Sequence, residues 1–154
     1  MNPHSTDSTE LLARLIRAKR ERLAVLGELG HRQMVLIEQG DMDGLLALLA
    51  TKQRSLDELQ RIERALDPFR REDPAERRWP SPEARRACAE QIEECEAMLA
   101  GIIAQERCCE AALVRRREAT QRQLQDVQNA ARARGAYTPP APPDVHQLDL
   151  LCEQ

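Results

Sequence analysis

Apolar side chains recur every three or four residues through most of this chain, and the runs are long. The first reads Leu12, Ile16, Lys19, Leu23, Leu26, Gly30, Gln33 and Ile37, with Leu15, Leu29 and Leu36 widening it. Such a stripe winds along one face of an α-helix, where residues three and four apart are neighbours. Two polar members, Lys19 and Gln33, and one glycine interrupt it. A second stripe carries Leu45, Leu49, Leu56, Leu59, Ile62 and Leu66. The third keeps a heptad step: Cys88, Ile92, Cys95, Leu99, Ile102, Glu106, Cys109, Leu113, Arg116, Thr120, Gln123, Val127, Ala130. The pattern predicts helices over about 7–39, 42–66 and 82–134, the last roughly 80 Å long at 1.5 Å per residue.

The punctuation agrees with the pattern. Every proline lies outside residues 7–66 and 83–134, and proline breaks helix interiors. The first helix is expected to begin at Asp7 or Ser8, with Glu10 in its first turn. Gly40 can take the left-handed position that ends one helix, and Asp41 can cap the next. A connection this short makes the two helices an antiparallel hairpin. Ser81-Pro82 opens the third helix with a polar cap and a proline at its first position. The fold expected is all-α: an antiparallel helical hairpin plus a long third helix, an elongated, coiled-coil-like bundle. One helical domain over 1–134 would be followed by a flexible, proline-rich tail over 135–154.

Between the second and third helices lies a proline-broken connector, 67–81, and it is the odd part of the chain. The chain has three aromatic residues, and Phe69 and Trp79 are both here. Large flat side chains bury much area with few rotors, so they suit a plug over Leu66 and Leu12 at the bundle's end. The alternative is an exposed secondary partner site formed by the same two residues.

The second helix is about 25 residues long, so an antiparallel third helix runs out of partner near residue 107. Residues 108–134 are then expected to need packing from elsewhere, because isolated helices depend on tertiary contacts. Charge changes along the same helix. Residues 82–106 carry two arginines and six glutamates, whereas residues 107–134 carry seven arginines and three acids. The run Arg115, Arg116, Arg117 reads as a solvated face, an acidic partner's contact, or a dock for the chain's own tail. Past Gly135, an expected helix stop, "AYTPPAPPD" reads as extended linker. Beyond it Val145, Leu148, Leu150 and Leu151 could form a short amphipathic helix.

Composition narrows the function classes. Charged residues make up 32% and aromatics 2%, which suits long helices rather than sheets. A net charge of −3 argues against a general nucleic-acid binder. No apolar run approaches the ~20 residues that cross a bilayer, and the N-terminus lacks the basic and apolar regions of a signal peptide. A cytoplasmic protein without membrane insertion is expected. Of five cysteines, Cys88, Cys95 and Cys109 fall on the third seam as small core residues, Cys108 lies beside it, and Cys152 is in the tail. None has metal-ligand spacing, and reduced thiols are expected. His4 and His146 lie near the termini and His31 stands alone. No phosphate loop, nucleophile elbow or zinc-protease pattern appears, so neither catalysis, nor a metal, nor a cofactor is expected.

The hairpin resembles the FlgN-type flagellar export chaperones. The residues that carry the likeness are Leu36-Ile37, Gly40-Asp41, Leu45-Leu46, Leu48-Leu49, Lys52, Leu56 and Leu59, within residues 8–66. The resemblance implies a small cytoplasmic chaperone of type III export that binds hook–filament junction subunits before secretion. It also implies substrate binding by the C-terminal helical region and docking on an export-gate component through a nearby tyrosine, here Tyr137. The connector and the proline-rich tail depart from that family's pattern. The residues expected to contact amphipathic helical termini of a protein client are Leu113, Leu124, Val127 and Ala131, with Tyr137 beside them. The competing expectation is a homodimeric coiled-coil interaction protein without a client, in which 108–134 is the seam.

Overall fold

Gly40 turns the chain. It is the only residue with positive φ among those described, at 71°, a conformation that costs glycine nothing and other residues strain. Its N–H bonds Ile37 O at 3.1 Å and the N–H of Asp41 bonds Leu36 O at 3.0 Å, closing the end of the first helix. The Asp41 carboxylate then accepts from Gly44 N–H at 2.9 Å and caps the second. These bonds explain why two long helices are joined by so little chain.

In the computed structural model, which describes residues 6–137, three helices follow: α1, Thr6–Gln39; α2, Met42–Arg70; and α3, Pro82–Ala136. A single 3-10 turn, Pro74–Glu76, lies in the connector, and no strand occurs among the described residues. The chain is therefore an all-α hairpin with a long third helix, as the pattern predicts. By internal contacts it divides into two units, Met1–Arg116 and Arg117–Gln154, and the division falls inside α3.

In the first unit α3 runs parallel to α1, and the residue numbers show it. Cys95 Sγ donates to Ile16 O, Gln105 Nε2 to Gly27 O, Cys109 Sγ to Gly30 O, and Arg116 Nη1 to Glu38 O. Each pair is separated by 78 or 79 residues, so the two helices keep step over their whole contact. Small residues make that approach close. A Cβ on Gly30 would stand 1.9 Å from Gln105 Oε1, so the glycine is what leaves room for that side chain.

The core lies where the three stripes meet. Leu12, Ile16, Leu23, Leu26, Leu66, Phe69, Cys88 and Cys95 form its main cluster, and Ile37, Leu45 and Cys109 a smaller one near the turn. Leu56, Leu59 and Ile62 are half-buried against the first. Leu49 departs from its expected burial and is exposed. Four adjacent leucines in "LLALL" cover more of the helix surface than one stripe, and the buried one there is Leu45.

The polar interruptions in the stripes find one another. Lys52 of α2 is buried, donates to Gln33 Oε1 of α1 at 2.8 Å, and pairs with Glu106 of α3. Lys19 of α1 bonds Glu63 of α2 at 2.8 Å. Burying an ammonium group is unfavourable unless it is paired and hydrogen-bonded, and both conditions hold here.

Two boundaries differ from expectation. The second helix does not stop at Leu66 but continues through Pro68 to Arg70. Proline removes one hydrogen bond in the last turn, while the extra turn brings Phe69 to 8% exposure beside Leu12, Ile16 and Leu66. Burial of the ring outweighs the missing bond. The third helix likewise passes Gly135 to end at Ala136, so that glycine does not stop it. The expected tail features, including Cys152, His146, Val145, Leu148, Leu150 and Leu151, lie outside the described residues, as does His4.

Candidate protein-binding surfaces

Four side-chain hydrogen bonds hold the connector and its ends. Arg77 Nη2 donates to Phe69 O at 2.7 Å, satisfying a carbonyl at the end of α2. Thr9 Oγ1 lies 2.9 Å from Arg78 O, Asp73 Oδ1 accepts from Ala75 N–H, and Ser81 Oγ accepts from Ala84 N–H. Phe69 is in the core and Trp79 is half-buried against it, so the two aromatics close the end of the bundle. Beside Phe69 lies an open pocket of about 270 Å³, lined by Leu12, Ile16, Leu66, Phe69, Ile92 and Cys95 and bordered by Lys19, Arg70, Arg77 and Glu96.

The thiols are built into packing. Burial pushes Cys88, Cys95 and Cys109 above the ordinary thiol value, against the opposing pull of Arg77 on the first and Lys19 on the second. Cys108 is exposed. Among the described residues no three His, Cys, Asp or Glu side chains gather where a metal ion could be held, and no helix is long and apolar enough to cross a membrane. His31 is exposed.

The hairpin covers more of α3 than its length suggested. Contact was expected to end near residue 107, yet Cys109 is fully buried, Ala112 packs on the smaller cluster, and Arg116 reaches Glu38 O. The cause is α1, which runs beside α3 as far as the Gly40 turn. Leu113, in this first unit, is exposed all the same.

In the second unit, residues 117–136 are helical and every described residue is exposed. Leu124 is 58% and Val127 65% exposed, and Ala131 shares their face at helical spacing. Tyr137, at 87%, ends the described chain. Three of the five expected contact residues thus lie on one open helix face.

A second open stripe went unforeseen. Met42, Leu46 and Leu49 lie along the first turns of α2 at four- and three-residue steps, all exposed, with Leu46 at 67%. The excess of leucines over one helical stripe was the signal that could have revealed it. Comparison with family models, with curated proteins and with solved structures found no match.

Proposed function

We propose that this protein is a cytoplasmic chaperone of flagellar type III export that holds hook–filament junction subunits before their secretion. The observation that carries the reading is the open face of the second unit, where Leu124, Val127 and Ala131 are exposed along one side of a helix. An amphipathic helical terminus of a client buries its apolar side on such a face, anchored at steps of three, four and seven residues. The hairpin's likeness to FlgN-type chaperones, carried by Leu36-Ile37, Gly40-Asp41, Lys52 and the flanking leucines, supplies the client class. Tyr137 is assigned to docking on an export-gate component on the same resemblance.

The test is an affinity capture from the lysate of the native cell, using the full chain and a Leu124→Asp/Val127→Asp variant. Bound proteins are identified by mass spectrometry. Hook–filament junction subunits should come down with the wild-type chain and not with the variant. Their absence from both, or equal recovery by both, overturns the reading.

A further inference from the structure

The two open apolar stripes carry opposite charge. Residues 33–51, which include Met42, Leu46 and Leu49, hold three acids, Glu38, Asp41 and Asp43, and no lysine or arginine. Glu38 and Asp43 are exposed, and Asp43 flanks the stripe at helical spacing. On the second unit's helix, Arg117 lies seven residues before Leu124 and so on the same stripe, while Arg132, about 100° round from Ala131, lies at the stripe's edge. The acids of that helix, Glu118 and Asp126, fall on its opposite half. The turn already receives one guanidinium from its own chain, since Arg116 Nη1 bonds Glu38 O at 3.0 Å.

We propose that the apolar, basic face of residues 117–132 in one copy docks on the acidic, apolar turn end of a second copy, around Met42, Leu46 and Leu49, and that the exchange is reciprocal. A two-fold interface is self-complementary: when the helix of one copy meets the turn of the other, the reverse contact forms as well. Each dimer then buries two apolar stripes from each chain and sets Arg117 and Arg132 against Glu38 and Asp43 twice. A simple seam of two 117–137 helices would instead place like charges together, since that segment carries four arginines and two acids. The dimer occupies the face assigned above to a client, but it needs only the purified protein, so a failed capture from lysate leaves it untouched.

Charge reversal separates these arrangements. Two full-length variants are made, Glu38→Lys/Asp43→Lys and Arg117→Glu/Arg132→Glu, all at exposed positions, and their helicity is checked by circular dichroism. Sedimentation velocity at micromolar concentrations should find the wild type dimeric and each variant alone shifted to monomer, weakened by more than about tenfold. Mixed together, the variants should pair again, because each restores opposite charge at both halves of the interface. A monomeric wild type overturns the proposal. So does a Glu38→Lys/Asp43→Lys variant that still dimerises alone, a mixture that stays monomeric, or assembly into species larger than two.

Discussion

Lys52 and Glu106 form a lopsided pair: the lysine side chain is 10% exposed and the glutamate 50%. Removing one partner therefore has unequal consequences. Glu106→Leu leaves an ammonium group buried with only Gln33 Oε1 for company and should cost on the order of 3 kcal/mol in urea unfolding. Lys52→Met leaves a carboxylate that water can still solvate, and should cost about 1 kcal/mol or less. Equal losses would mean that Lys52 reaches solvent in the folded protein. Glu63 gives a second residue-scale expectation. Partial burial pushes its carboxyl up, but hydrogen bonds from Lys19 and Arg70, with their charges, outweigh that and leave it below the ordinary 4.5. A depressed carboxylate stabilises the fold above the unfolded value and loses that contribution as pH falls through the folded one. Urea unfolding followed from about pH 5 to about pH 3 should show a smaller loss for Glu63→Gln than for the wild type.

Among the elements, the end of α2 is where local rule and tertiary packing disagree. The sequence pattern places the helix stop at Leu66 because Pro68 follows, although Phe69, directly after that proline, continues the stripe of Leu59, Ile62 and Leu66 at a three-residue step. What decides is packing with Leu12 and Ile16, more than fifty residues away along the chain; the plug over Leu12 was expected, but not that the helix would run through Pro68 to make it. Phe69→Ala should accordingly destabilise by about 3–5 kcal/mol in urea unfolding, as for other buried aromatics. A loss below about 1 kcal/mol would show that the ring is not part of the core. The turn at Gly40, by contrast, was legible residue by residue: a left-handed glycine and an aspartate cap are local chemistry, and both bond as expected.

For the whole molecule, three helices, their order and most of their core could be read from spacing alone, because a stripe of leucines at three and four residues has one use. Lys19, Gln33 and Glu106 looked like defects in those stripes, and their pairing could not be seen until the helices were set side by side. The open faces were half legible. The thin stripe at Leu124 and Val127 marks itself by dilution, whereas the excess leucines of α2 disguise Leu49 as core. The division at Arg116 gives a further expectation. Since no described residue after it is buried, a chain ending at Arg116 should melt within about 2 °C of the full protein by circular dichroism when both are dilute enough to be monomeric. A larger fall would mean that residues 117–154 contribute to the fold of the first unit.

Two helix ends are finished by side chains from later in the chain: α1 by Arg116 at Glu38 O, 78 residues on, and α2 by Arg77 at Phe69 O, eight residues on. Neither arginine belongs to the hairpin. The α1–α2 pair made early in synthesis therefore emerges with one carbonyl in each C-terminal turn lacking its arginine, and those turns gain that bond only when the connector and α3 arrive. Protection of their amide protons against exchange becomes a clock for that last step of folding, reporting the arrival of α3 from within helices that were already there.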